Sequence, residues 1–173
     1  MVQSTDNFSI DLLKSRDTKA WEHLYDLLSS DVKSFVQRIG ATSPDDIVSE
    51  TMLNIVRDIH SFQGTVEELR PWAFRIARHR VIDAARLHKR RPEQVPLVDT
   101  ALESFSVHPD GNEIDLSGLA HAFEQLTQEQ REVLWLRYVL DFSLATTSEI
   151  MGSTPDAVAS MAHRALGRLR QIL

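Results

Sequence analysis

The chain contains no cysteine, which excludes a disulfide scaffold, a thiolate zinc site and a thiol nucleophile. It has only six glycines in 173 residues, and none of them forms a phosphate-binding loop. No stretch approaches the roughly 20 apolar residues needed to cross a bilayer. The N-terminus, Met1 to Asn7, lacks the basic flank and apolar core of a secretory signal. Strand-like alternation is nearly missing. The seven histidines, at 23, 60, 79, 88, 108, 121 and 163, never fall at zinc-protease spacing. His79 and Asp83, four apart, could share a metal, but the arginines around them disfavour a cation. These absences predict a cytoplasmic protein without catalytic residues, metal, cofactor or membrane association.

What is present is helical periodicity and segregated charge. The net charge of −6 argues weakly against a nucleic-acid partner, yet its distribution argues the other way. Seven Lys or Arg and one acid, Asp83, lie between Arg75 and Arg91; six acids and no Lys or Arg lie between Pro92 and Asp115. Phosphate contacts depend on the local field rather than the total charge.

The spacing predicts a helix after Asp17, with Ala20, Leu24, Leu27 and Leu28 on one face. A second is predicted after Ser30, with Val32, Phe35, Val36 and Ile39, ending at Gly40. A third opens at Ser43-Pro44-Asp45-Asp46, where proline suits the first helical position and the acids suit the positive helix end. Its apolar stripe is Ile47, Thr51, Ile55 and Ile59, with Val48, Met52 and Val56 beside it. Residues 61–70 read as a loop, and a fourth helix starts near Pro71 and runs into the basic cluster. The proline-containing acidic stretch 92–115 reads as a linker, with local structure at most around Leu102 and Phe105. Beyond it come a stripe from Leu116 to Leu126, then a capping box at Thr127 to Gln130 opening a helix that carries Val133, Leu134, Leu136 and Tyr138. A short helix from Leu144 to Met151, a turn at Gly152 and a last helix from Pro155, capped by Thr154, complete the chain. The expected fold is all-α: two small helical domains joined by a flexible linker, each small enough to need help in burying its core.

Two constellations invite a function. A short helix, a glycine turn and a helix with a polar outer face can seat the last helix in a DNA major groove, presenting Thr154, Asp156, Ala159, Ser160, His163 and Arg164. An ordinary helical hairpin would share that pattern. The basic helix 75–91, with Trp72 and Phe74 at its start and Phe62 before it, combines backbone-tracking cations with rings that stack on bases. A core role for Phe74 and dipole complementation by the arginines compete with that view. Acids at Asp45, Asp46 and Glu50 cap their helix whatever else they contact.

The order of these parts resembles the extracytoplasmic-function sigma factors of the sigma-70 family, from about Phe8 to Leu173 apart from the linker. Ala20-Trp21-Glu22-His23-Leu24-Tyr25 is similar to the family's opening element, Asp45 to Thr51 to its Asp-x-x-Gln-Glu signature, and Phe62-Gln63-Gly64 to its Phe-x-Gly. Trp72 to Asp83 resembles Trp-Leu-x-x-Ile-Ala-Arg-Asn-x-x-x-Asp, Leu126 to Leu134 resembles Leu-Pro-x-x-Gln-Arg-Glu-Val-Leu, and 143–168 follow the helix-turn-helix.

The resemblance implies a first domain over 8–91 that binds the bacterial RNA polymerase core through Asp45, Asp46, Ser49 and Glu50. The same domain would hold the melted −10 promoter element through Phe62, Trp72, Arg75, Arg78, His79, Arg80, Asp83 and Arg86. A second domain over 116–173 would read the duplex −35 element through the six residues of its last helix. The resemblance also implies an anti-sigma partner. Departures from the family pattern are His79 for the usual Asn, Ser49 for Gln, Ala159 and Met161 for basic residues, and Thr147 at an apolar site. A regulator using only the C-terminal motif, or a helical adaptor binding no DNA, would leave the block at 72–86 or its charge without a role.

Overall fold

The computed structural model describes residues 8–90 and 116–173, and every regular element among them is helical. The linker of 92–115, with Leu102 and Phe105, and Arg91 of the basic cluster lie outside the described residues. A short α1 (Ile10–Lys14), not foreseen from periodicity, is capped by the Ser9 hydroxyl, which accepts from Leu12 N–H at 3.3 Å. The next helix, α2 (Thr18–Arg38), is capped at Asp17, whose carboxylate accepts from Ala20 N–H at 2.9 Å. It is a single helix, so the break expected after Ser30 does not occur. Serine costs only a few tenths of a kcal/mol in a helix interior, and no glycine or proline interrupts the burial of Leu24, Leu28, Val32, Phe35 and Val36. Leu27, expected on that face, is half exposed.

Pro44 stands in the first turn of α3 (Pro44–Asp58), which continues into a 3-10 turn (Ile59–Ser61). The stripe Ile47, Thr51, Ile55 and Ile59 is buried, whereas Val56 is not. The fourth helix, α4 (Val66–Arg90), starts five residues before the expected Pro71 and contains that proline. Glu67 and Glu68 favour its positive end and Leu69 is buried in its first turns, which offsets the one N–H that proline lacks. Phe74, Ala77 and Val81 of α4 close the core of this first unit.

The second unit begins with α5 (Leu116–Glu124) and α6 (Gln128–Leu134). Thr127 and Gln130 form the expected reciprocal capping box, at 3.2 and 3.1 Å. A π-helical turn (Trp135–Val139) follows, with Leu140 N–H bonded to the Trp135 carbonyl at 3.0 Å; it turns Trp135 and Leu136 inward and leaves Tyr138 exposed. Then α7 (Leu144–Met151) ends at Gly152 in the left-handed region, φ 62°, where any other residue would be strained. Thr154 caps α8 (Pro155–Ile172), which buries Val158, Ala162 and Ala165.

The two helical units are not separate. Helix α4 packs on α7 and α2 on α6, and one apolar cluster runs through both units. Phe74 is the hinge pin of this cluster, edge-on to Phe35 within its own unit (5.3 Å between centroids) and to Phe142 of the other (5.4 Å). Each unit supplies the burial that the other is too small to complete.

Thr147 is fully buried and its hydroxyl has no hydrogen-bond partner among the described residues. Replacing it with the near-isosteric valine removes an unsatisfied polar atom, so Thr147→Val is expected to raise stability by about 1 kcal/mol in urea unfolding. A lowered midpoint would mean that the hydroxyl is satisfied in solution.

Candidate nucleic-acid and polymerase interface

Three surfaces emerge. On α3, Asp45, Asp46, Ser49 and Glu50 are all exposed over the first two turns. Asp45 pairs with Lys33 of α2 at 2.8 Å, and the Ser49 hydroxyl donates back to the Asp45 carbonyl at 2.9 Å. The same helix leaves Leu53 and Val56 exposed, the former by 68%. The acidic turn is thus followed on the same helix by uncovered apolar side chains. Sequence reasoning passed over Leu53; its position off the buried stripe 47–51–55 was the signal.

The second surface is the loop between α3 and α4 with the outer side of α4. Phe62 and Trp72 lie ring against ring, centroids 4.7 Å apart and planes inclined by 31°. The Phe62 ring sits where a side chain on Gly64 would have to be, since a Cβ there would come within 2.5 Å of the ring edge. Lys14 of α1 fixes the loop from below, donating to the Phe62 carbonyl at 2.9 Å, and the Glu68 carboxylate accepts from Thr65 N–H at 2.7 Å. The Trp21 indole donates to the Leu13 carbonyl at 3.1 Å, holding α1 in place for this task. Beyond Trp72, Arg75, His79, Asp83 and Arg86 recur every three to four residues and are exposed, with Asp83 and Arg86 3.6 Å apart.

Two of the expected cations turn elsewhere. Arg80 lies between α4 and α3, with one guanidinium nitrogen 3.4 Å from the Asn54 side-chain amide oxygen, Oδ1, and its Nε buried. Arg78 is largely buried against the second unit and forms an ion pair, Nε to Oε1, with Glu132 of α6. Burial pushes the Glu132 carboxyl above its usual range, and the charge and hydrogen bond of Arg78 pull it back. Arg70 lies over the Phe142 ring (4.7 Å) while donating to the Leu140 carbonyl and the Asp31 carboxylate, both at 3.0 Å. Arg38 of α2 stacks over Trp135 at 5.4 Å. Arg38, Arg70, Phe142 and Glu132 were missed from sequence, because nothing local distinguishes an inter-unit contact.

The third surface is the outward side of α8. Thr154, Asp156, Ala159, Ser160, His163 and Arg164 are all exposed and share one open face. The Thr154 hydroxyl accepts from Ala157 N–H at 3.3 Å, so this side chain is also the helix cap. Among the described residues no group of carboxylates and histidines is placed to hold a metal, and no helix is long and apolar enough to cross a membrane.

Comparison with known proteins matches residues 24–91 to sigma-70 region 2 and residues 117–169 to sigma-70 region 4. The chain is 26% identical over 171 residues to the ECF RNA polymerase sigma factor BldN of Streptomyces coelicolor, covering 95% of this chain but 64% of BldN. It is 24% identical to the ECF RNA polymerase sigma factor SigM of Bacillus subtilis, covering 87% of this chain and 93% of SigM. Among solved structures, the sigma factor RpoE of Bartonella quintana, crystallised with the anti-sigma factor NepR, superposes with a TM-score of 0.70 at 22% identity, covering 90% of this chain and 97% of that one.

Gly64→Ala should displace the Phe62 ring and separate it from Trp72 with little loss of global stability, within about 1 kcal/mol. Nuclear magnetic resonance of the Trp72 indole checks this; an unmoved indole signal would show that the loop absorbs the added methyl elsewhere.

Proposed function

This chain belongs to the sigma-70 family, as an extracytoplasmic-function sigma factor, and we propose how its surfaces divide the work of transcription initiation. The first domain (8–91) docks on the RNA polymerase core through Asp45, Asp46, Ser49 and Glu50, with Leu53 and Val56 extending the contact. Its loop at Phe62 to Gly64, Trp72, and the exposed cations Arg75 and Arg86 hold the melted −10 strand, with His79 and Asp83 facing the same strand. Arg78 and Arg80 turn to Glu132 and Asn54 and brace the helix that presents these groups. Stacking of a base on an aromatic contributes about 1–3 kcal/mol, comparable with what is needed to keep a base out of the duplex. The second domain (116–173) reads the duplex −35 element through the face of α8, and the linker (92–115) sets the span between them. The protein works in the cytoplasm with the polymerase and supplies binding energy and register; the bond-making chemistry of RNA synthesis belongs to the polymerase.

The observation that carries this reading is the coexistence in one chain of a paired-ring loop leading into an outward line of Arg75, His79, Asp83 and Arg86, and a separate open helix-turn-helix face. A regulator using one duplex site would need only the second. An anti-sigma factor, as seen bound to RpoE, is the regulatory partner this reading favours.

Transcription reconstituted from core polymerase, a promoter template and this chain tests the proposal. Initiation is expected only when the chain is present. Arg75→Glu should reduce strand opening, read by permanganate reactivity of unpaired thymines, and lower the salt dependence of binding by about one phosphate contact. Arg164→Ala should weaken duplex binding without changing strand opening once bound. Initiation that does not depend on the chain would refute the assignment.

A further inference from the structure

We propose that Lys14 is a positioning residue for −10 recognition: α1 is a brace whose terminal ammonium group holds the base-stacking loop in place without touching DNA. The proposal rests on the sigma-factor reading above and gives a role to a helix which that reading leaves idle.

A helix of five residues is far too short to persist on its own, so α1 (Ile10–Lys14) exists through what holds it. The Ser9 hydroxyl caps its start, Leu13 is wholly buried, and the Trp21 indole grips the Leu13 carbonyl from α2. The Phe8 ring, just before the helix, meets His23 of α2 with centroids 5.3 Å apart. These contacts leave Lys14 at the end of an anchored lever, against the 3-10 turn that leads into the loop. Its Nζ donates to the Phe62 carbonyl at 2.9 Å, across 48 positions of sequence. Complementing the helix dipole needs no such aim, because a lysine in a last turn does that while pointing into water.

Among the described residues, the other hydrogen bonds of residues 61–65 are local: Ser61 to Asp58, Phe62 N–H to Ile59, and Thr65 to the first turn of α4. The lysine bond is therefore the loop's tether to a distant segment. The direction of a carbonyl fixes ψ of its own residue and constrains the chain beyond, because the peptide that follows is planar. Holding the Phe62 carbonyl toward Lys14 thus settles how the chain leaves Phe62, whose backbone is extended at ψ 127°. Trp72 lies against the Phe62 ring, and a Cβ on Gly64 would come within 2.5 Å of it. The ring is confined by these neighbours only while the peptide beyond it keeps its plane. Without the tether that plane is free to turn, and the ring pair loses its register.

Lys14→Met keeps the length of the side chain and removes the donor. It is expected to move the Trp72 indole resonance and to lower strand opening roughly fivefold, the effect of losing one hydrogen bond of ordinary net strength. Far-ultraviolet circular dichroism and binding to the −35 duplex should not change. Two readouts separate positioning from other roles. The ratio of initiation on a matched template to that on one with a substituted −10 base should fall several-fold; mere loss of folded protein scales both templates alike. The slope of log affinity against log salt, for the chain on core polymerase and promoter, should equal the parent's. A lysine that met a phosphate itself would take about one contact from that slope. Lys14→Arg, which can still donate, should restore the resonance and the template ratio. Combined with Gly64→Ala, the Trp72 shift should be less than the sum of the two single shifts, since both changes act through the Phe62 ring.

An unmoved Trp72 resonance, an unchanged template ratio, or a salt slope lowered by one contact would each overturn the proposal. Should Lys14→Met fail to fold, Trp21→Phe removes the indole donor that holds α1 and keeps a ring in its place. A moved Trp72 resonance and a lower template ratio in that variant support the brace, and unchanged values overturn it. The parent chain keeps the two ideas apart. If it supports no initiation with core polymerase, the sigma-factor reading fails and the Trp72 resonance alone decides the brace. Initiation and base preference that Lys14→Met leaves unaltered refute the brace only.

Discussion

A carboxylate placed between two helical bundles cannot remain ionised there unaided. Withdrawing it from water costs several kcal/mol even after relaxation, and only a well-aimed cation offsets that cost. Glu132 is in this position, and Arg78 answers it from the opposite unit. Such a pair adds little net stability compared with apolar residues of the same shape, but it punishes any other arrangement heavily, because either partner left alone is a buried bare charge. The pair therefore fixes the relative placement of the two units more than it strengthens their union.

The apolar part of the seam supplies the attraction that the ion pair directs. Phe74 belongs to the core of the first unit and yet presents an edge to Phe142. Arg70 covers both rings, at 5.7 and 4.7 Å, and spends its donors on a carbonyl and a carboxylate, so its charge is not stranded. Arg38 repeats the device over Trp135. Three arginines from one surface of the first unit thus meet a mostly aromatic patch on the second. A guanidinium suits such a place because it is flat, weakly hydrated and able to stack while hydrogen-bonding at its rim.

The helices were legible wherever a local rule governed them: Asp17, Pro44, Thr127 and Thr154 begin helices, and Gly152 ends one, as their chemistry dictates. The outward series Arg75, His79, Asp83, Arg86 and the face of α8 followed from helical spacing. What escaped was set by neighbours distant in sequence. Asp31 continues a helix through a serine pair and answers Arg70, and Pro71 is tolerated because the turn before it has burial and charge of its own. Arg78 and Arg80 share the composition of the exposed arginines around them, and only the partners Glu132 and Asn54 set them apart. A cation's type can be read from one chain segment; what it faces cannot.

The π-helical turn between Trp135 and Val139 has a consequence for how this chain tolerates change in length. By holding an additional residue in one turn, it rotates everything downstream by about 100° relative to a continuous α-helix. That rotation brings the Leu140 carbonyl and Phe142 round to face Arg70 and Phe74. The same residues forced into ordinary helix would swing those groups off target, whereas deletion of one residue would remove the bulge and leave them facing the first unit. The segment is thus a turn carrying one surplus residue, able to lose it without changing what the two halves present to each other.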